Sequence, residues 1–338
     1  MDLFFYEAFK EEEEALRSYL KPPISAEFTW KTIQEYGVPN PPAPIISIRT
    51  QSIIPVSWAE KLSGILSRST GYDHIERFLK QCKKDVPCGY LPLYCNRAVA
   101  EQAFLLILSI LRKLPQQIDH FASFNRDGLT GRECENKTLL VVGVGHIGSE
   151  IVKIGQGMGM KVFGVDLVKK YSWVSYTTIE EGISGADVIA CAMNLTSDNV
   201  GYFNYKLLKK AKKGVVFVNV ARGELSPSVD LLRLLDEEHI GGLALDVYSR
   251  ESELAVSLRS NSSAESEEVR ATLELAKRKN VILTPHNSFN TEEAVDRKAN
   301  HSFQQLFHFL EHGSFLWPVP YSQSYKYIKC SKSERQKQ

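Results

Sequence analysis

Residues 137–166 read KTLLVVGVGHIGSEIVKIGQGMGMKVFGVD. Leu139 to Val142 is a short apolar run suited to a strand buried on both faces. It runs into Gly143-Val144-Gly145-His146-Ile147-Gly148, a G-x-G-x-x-G turn. Ile151, Val152, Ile154 and Met158 recur at roughly helical spacing, and Lys161 to Val165 is a second β-rich run closed by Asp166. Each part suits a bound dinucleotide. Gly143 permits the tight turn, Gly145 lets backbone approach a pyrophosphate, and Gly148 lets the helix pack closely on the strand. Free N–H groups at the helix start favour an anion. Asp166 stands where an acid hydrogen-bonds the adenosine ribose and repels a 2′-phosphate, which predicts NAD over NADP. Lys169 and Lys170, close behind it, would partly accommodate such a phosphate.

The α/β rhythm continues beyond this unit. Apolar runs predict strands at 187–192, 215–220, 243–247 and 281–284, with helices at 178–183, 205–211 and 227–238. With the first two, six strands make a doubly wound parallel (Rossmann) sheet. Ser226 reads as a capping hydroxyl, with Pro227 in the first turn of its helix. Before the motif lies a long helix, 96–113, with a core stripe of Val99, Ala103, Leu106, Ile107 and Ile110, and then a loop marked by Gly128 and Gly131. Earlier still, short strands at 2–6, 27–30, 45–48 and 64–67 alternate with a helix at 10–20 and the proline-rich loop VPNPPAP at 38–44, which predicts a smaller α/β unit. Residues 257–268, rich in Ser and Glu, read as a surface loop, and 267–278 as a helix. Residues 291–311 predict a helix with Ala294, Ala299, Phe303, Leu306 and Leu310 inward. The basic segment from Tyr325 reads as a solvated, frayed terminus.

Whole-chain properties narrow the functional classes. A length of 338 residues favours about two domains. The net charge of +1 gives no global field to recruit nucleic acid or a membrane surface. The densest apolar run, 103–111, is too short to span a bilayer. The acidic MDLFFYEAFKEEEE start lacks the basic region of a signal peptide. Cys82, Cys88, Cys95, Cys134, Cys191 and Cys330 form no C-x-x-C and no metal-ligand spacing, so they read as reduced cytoplasmic thiols with no metal site.

In an open α/β sheet, ligands bind beyond the carboxyl ends of the strands. The predicted strand at 215–220 is followed by Ala221-Arg222-Gly223, that at 243–247 by 248–251 ending in Glu251, and that at 281–284 by Pro285-His286. An arginine, a glutamate and a histidine thus emerge on the edge that carries the glycine turn. The trio suits reduction of a 2-keto acid. Arginine offers a planar fork to a carboxylate. A protonated histidine can give a proton to a carbonyl oxygen, and a neighbouring carboxylate favours the charged ring and fixes it. Taken singly, Arg222 reads more readily as a surface ion pair, His286 as a core or loop histidine and Glu251, the weakest of the three from spacing, as a solvated acid of a polar segment.

Arg68-Ser69-Thr70-Gly71-Tyr72-Asp73, Ala98-Val99-Ala100-Glu101, the 142–148 glycine turn, Asn219-Val220-Ala221-Arg222-Gly223, Leu245-Asp246-Val247-Tyr248 and Thr284-Pro285-His286 occur in the order found in one family. Over nearly its whole length the chain resembles the D-isomer-specific 2-hydroxyacid dehydrogenases. The resemblance implies that Arg222, Glu251 and His286 are catalytic. It implies NAD contacts at His146, Ile147, Asp166, Met193, Asn194, Asn199, Val220, Ala221 and Asp246, besides Gly143, Gly145 and Gly148. On the substrate side it implies Thr70, Gly71 and Tyr94 beside Arg222. Residues 284–294, TPHNSFNTEEA, and the long stretch between Glu251 and His286 are similar to the D-lactate dehydrogenase branch. Phe289 then reads either as a ring bounding a small substrate such as pyruvate or as an ordinary packing residue. Four positions depart from the family pattern. Asn136 replaces a glycine but tolerates positive φ, Asn194 replaces a common proline, and Ser226-Pro227 replaces Val-Asp.

The reading predicts a Rossmann cofactor domain at 96–289 and a discontinuous flavodoxin-like α/β substrate domain formed by 1–95 and 290–325, with a flexible tail at 326–338. It predicts NAD-dependent reduction of a small 2-keto acid, pyruvate to D-lactate, by a cytoplasmic homodimer that uses no metal, nucleic acid or membrane. The alternatives are a glyoxylate or hydroxypyruvate reductase, and an NAD-sensing protein like the co-repressors built on this fold.

Overall fold

The structure is a computed structural model, and it describes residues 1–260 and 264–320. Two compact units divide the chain, Met1–Tyr94 with Val295–Gln338 and Cys95–Ala294. The expected basic tail lies outside the described residues.

The first unit holds five parallel strands, β1 (Leu3–Phe5), β2 (Ala26–Phe28), β3 (Ile45–Ile48), β4 (Gly64–Ser67) and β5 (Cys88–Gly89). Their order is β2-β1-β3-β4-β5, the flavodoxin-like order. β1, β3 and β4 are short runs buried throughout. Such runs need helices on both faces, because no exposed side is left to solvate. Tyr6, Ile46, Ile65, Trp58 and Ile75 fill one core of this unit.

A second, buried polar cluster lies in the same unit. Glu12, Arg68 and Lys298 are each fully buried. Glu12 accepts from Arg68 Nε at 2.9 Å and lies 2.9 Å from Lys298 Nζ. Arg68 also donates to the Ser47 hydroxyl and to the Tyr6 carbonyl. Burial pushes the Glu12 carboxyl upward, but the charges of Lys298, Arg68 and Arg49 outweigh it and hold the group at about 2. Burial, with repulsion from Arg49 and Arg68, pulls Lys298 down to about 7 against the attraction of Glu12.

The second unit holds six parallel strands, β6 (Thr138–Val142), β7 (Lys161–Val165), β8 (Val188–Cys191), β9 (Val215–Asn219), β10 (Ile240–Leu245) and β11 (Val281–Leu283). Their order is β7-β6-β8-β9-β10-β11. The chain steps from β6 to β7 on one side and returns to β8 on the other, so the switch point lies beside β6. β8 and β9 are buried at every position. β7, at the sheet edge, alternates exposed Lys161 and Phe163 with buried Val162 and Gly164, so only one face enters the core. Asn136 has φ +60°, as its tolerance for the left-handed region predicts.

Several sequence expectations are corrected. The predicted helix at 96–113 ends at Leu111, and a further helix, Leu114–Phe121, follows where a loop was expected. Part of the expected Ser/Glu-rich loop, through Ser260, belongs to a helix, Glu251–Ser260, that buries Leu254 and Ser257. Leu310 is 45% exposed, and Phe309 takes the inward place at that turn of the helix. Ser226 does not cap its helix. Its hydroxyl accepts from Asn219 Nδ2, and the helix opens at Ser228, whose amide donates to the Glu268 carboxylate at 2.8 Å. Cys82, Cys88, Cys95, Cys134 and Cys191 are buried free thiols. Burial pushes Cys191 up to about 12, which makes it an inert packing residue at neutral pH. Among the described residues no helix is long and apolar enough to cross a membrane.

Candidate active site

The glycine turn lies at the carboxyl end of β6. Gly143 has φ +91°, and a Cβ there would stand 2.5 Å from the Met193 backbone. The turn therefore presses against the segment that follows β8, bringing two predicted cofactor positions together. At Gly148 a Cβ would meet the Gly143 carbonyl at 1.9 Å, so only glycine lets the helix pack here. At Gly145 a Cβ meets nothing within 4 Å. This glycine faces open space at the start of the helix His146–Gly157, whose first amides have no side-chain cap. Those donors and that open backbone fit a pyrophosphate. Burial, and then the charge of Lys170, lower the His146 imidazole, so the ring stays neutral at this helix start.

Asp166 closes β7. Its carboxylate accepts from the Val144 amide at 2.6 Å and the Val168 amide at 3.0 Å. The acid is thereby tied to the glycine turn, and each oxygen keeps a second lone pair for a ribose hydroxyl. Asn199 stitches the segment after β8: its amide donates to the Asn194 carbonyl at 2.7 Å, and its oxygen accepts from the Thr196 amide. These features fit a dinucleotide from glycine turn to acid.

Arg222, Glu251 and His286 follow the carboxyl ends of β9, β10 and β11, three adjacent strands. Buried Asn219, the last residue of β9, shapes the arginine turn. Its oxygen accepts from the Ala221 amide, and its amide donates to the Arg222 carbonyl and to Ser226. Arg222 Nη1 reaches back to the Ala221 carbonyl at 2.8 Å. Gly223 lies so close to the chain beyond β10 that a Cβ would stand 1.9 Å from the Tyr248 carbonyl carbon.

His286 Nδ1 lies 2.8 and 3.0 Å from the two Glu251 oxygens. Both side chains are about one-fifth exposed. His286 has φ +51°, and the preceding loop holds it there. The His286 amide donates to the Thr284 carbonyl at 2.9 Å. Fully buried Asp246 accepts from the Asn287 and Ser288 amides at 2.9 Å and from the Thr284 hydroxyl. The Tyr248 hydroxyl donates to the Thr284 carbonyl at 2.7 Å, and its distance to the Leu245 carbonyl is 3.1 Å. Burial, with the nearby Asp246 and Glu251 charges, raises its pKa, so it stays a donor. Tyr248 and Asn219 carry no assigned role in the sequence reading. Their only signal was their place inside the motifs, one residue from Val247 and three from Arg222. Phe289 is buried.

In the first unit, the loops of Thr70-Gly71 and Tyr94 are joined. The Leu91 amide donates to the Ser69 carbonyl, Thr70 Oγ1 to the Leu91 carbonyl, and Ser69 Oγ to the Gly71 carbonyl at 2.7 Å. The Tyr94 carbonyl accepts from Arg297 Nε at 2.9 Å, and its ring lies 5.6 Å from Lys298 Nζ.

Comparison with known proteins gives the arrangement its family. Residues 104–288, more than half of the chain, match the model of the D-isomer specific 2-hydroxyacid dehydrogenase, NAD binding domain. A D-lactate dehydrogenase of Staphylococcus epidermidis is 29% identical over 237 residues, 68% of this chain and 71% of that protein. An aromatic 2-oxoacid reductase of Clostridium sporogenes is 31% identical over 252 residues, 72% of this chain and 75% of that protein. The structure of the Aquifex aeolicus D-lactate dehydrogenase complexed with NAD and lactic acid superposes with a TM-score of 0.82 at 28% identity, covering 93% of this chain and 99% of that one. The chain belongs to the D-isomer-specific 2-hydroxyacid dehydrogenase family, in its D-lactate dehydrogenase branch, and is an NAD-dependent enzyme of that family.

Proposed function

We propose that this enzyme reduces pyruvate to D-lactate, with Arg222, Glu251 and His286 as its catalytic residues. The observation that carries the reading is the bidentate approach of the Glu251 carboxylate to His286 Nδ1, at 2.8 and 3.0 Å, one strand away from the arginine turn. When bound, NADH supplies the hydride that reduces C2 of the keto acid. Glu251 engages Nδ1, which leaves His286 Nε2 to give the proton to the carbonyl oxygen. Glu251 also stabilises the charged ring before that transfer. Arg222 binds the substrate carboxylate through its planar fork. The glycine turn, Asp166, Met193, Asn194, Asn199, Val220, Ala221 and Asp246 hold the cofactor on this reading. Thr70, Gly71 and Tyr94 serve the substrate, and Phe289 limits its size.

A steady-state panel of pyruvate, glyoxylate, hydroxypyruvate and phenylpyruvate, each with NADH and NADPH, tests this. The expected result is saturable NADH oxidation with the highest kcat/KM for pyruvate. A preference for phenylpyruvate, or for glyoxylate or hydroxypyruvate, would reassign the substrate. NADH binding without turnover of any acid would favour the NAD-sensing reading.

The enzyme works as a homodimer through its cofactor-binding unit. Ile118, Phe121 and Phe124, in and just after the helix Leu114–Phe121, are 66%, 77% and 76% exposed. Large apolar side chains clustered in this way support an association surface. The five free buried thiols support a reducing, cytoplasmic location.

A further inference from the structure

The strands whose carboxyl ends carry Arg222, Glu251 and His286 also bound a cavity at their opposite ends. It has a volume of about 350 Å³, and its lining includes Gly214 before β9, Gly241 near the start of β10 and Asn280 before β11. Lys113, Arg132 and Lys279 also line it, and no aspartate or glutamate does.

Two of these cations are held in place by backbone rather than by acids. Lys113 Nζ donates to the Gly128 carbonyl at 2.7 Å, and Arg132 Nη1 to the Gly214 carbonyl at 3.2 Å. None of the three forms an ion pair among the described residues, whereas Lys212 in the same unit pairs with Asp187 at 2.7 Å. Gln116 also lines the cavity. Its Nε2 donates to the Lys279 carbonyl, while its Oε1 is buried and accepts no hydrogen bond among the described residues. A buried acceptor left without a donor is unfavourable unless a bound group supplies one.

We propose that this cavity binds a small polyanionic metabolite with at least two phosphate or carboxylate groups and a hydroxyl. Three like charges brought together without acids repel one another, and a polyanion relieves that repulsion. The planar fork of Arg132 suits either anion, and the lysines serve as point charges beside it. A hydroxyl on the ligand would donate to Gln116 Oε1. The volume admits a ligand of metabolite size, and it lies at the low end for small-molecule pockets. The site is separate from the pyrophosphate cradle, which sits at the carboxyl end of β6.

Titration calorimetry on the full chain saturated with NADH tests this at constant ionic strength, with pyrophosphate and citrate as probes. Saturating cofactor removes the glycine turn as a competing anion site. Saturable binding of one probe molecule per chain is expected. Arg132→Gln and Lys279→Gln should each weaken it by roughly tenfold, the loss of one charge-assisted contact, with kcat/KM for the keto acid unchanged without probe. Tighter binding of pyrophosphate assigns a phosphorylated ligand, and tighter binding of citrate a polycarboxylate. Lys279 is exposed and makes no side-chain hydrogen bond among the described residues, so its variant leaves the fold intact. The absence of saturable binding by both probes overturns the proposal, as does equal binding by wild type and the two variants.

Discussion

His286 occupies a left-handed backbone, at φ +51°, which is uncommon for residues other than glycine. Asp246 holds the loop there by accepting from the next two amides, and Glu251 engages the ring. The histidine, the arginine and their strand ends were legible in the sequence, because a motif marks where a parallel strand stops. The role of Asp246 in holding this loop was not, because its hydrogen bonds span about 40 residues and no local pattern encodes them. Gly223 gives a direct test at this scale. Gly223→Ala drives a Cβ into the Tyr248 backbone, which cannot swing aside like a flexible side chain. It should cost roughly 1–3 kcal/mol of stability and lower kcat/KM by displacing Arg222. Thermal unfolding and steady-state kinetics would check both effects, and unchanged values would refute the close-packed turn.

Among the elements, the buried strands were the most legible, since β3, β4 and β7 begin and end where their apolar runs do. The helix Glu251–Ser260 was hidden because it buries a serine beside Leu254 and so lacks an apolar stripe. The Glu12–Arg68–Lys298 cluster was equally hidden, since it joins an acidic helix to a strand end and a distant helix. Glu12→Gln leaves two cations buried with less compensation and should cost about 3–5 kcal/mol. The pH dependence follows in sign. The Glu12 pKa falls from 4.5 to about 2 on folding, so its contribution is present above pH 4.5 and lost as pH falls toward 2. Lys298 gives the same sign at higher pH. Its pKa falls from 10.5 to about 7, so stability rises with pH across that interval. Denaturant titrations from pH 2 to 6 should show the acid loss in wild type and a smaller one in Glu12→Gln. Equal slopes would contradict the cluster's role.

At the scale of the whole molecule, two parallel sheets account for most of what the sequence disclosed. Parallel strands need connecting helices, and the alternation of short apolar runs with amphipathic stretches reports that need. The helix Leu114–Phe121 carries no inward apolar stripe to mark it in the sequence, because it turns Ile118 and Phe121 outward. That same feature supports the proposed homodimer. Phe121→Asp should shift the species seen by light scattering from dimer to monomer at micromolar concentration, and an unchanged mass would argue against this surface. On the proposed function, the trio at the ends of β9, β10 and β11 carries proton transfer and substrate binding for a D-specific reduction. The most direct test of that role is NADH-dependent turnover of pyruvate by wild type and His286→Gln, with the chirality of the product determined. D-lactate is expected from the wild type, and a kcat lowered by roughly 10²–10⁴-fold in the variant, with unfolding temperature unchanged. Near wild-type kcat in His286→Gln would contradict that role.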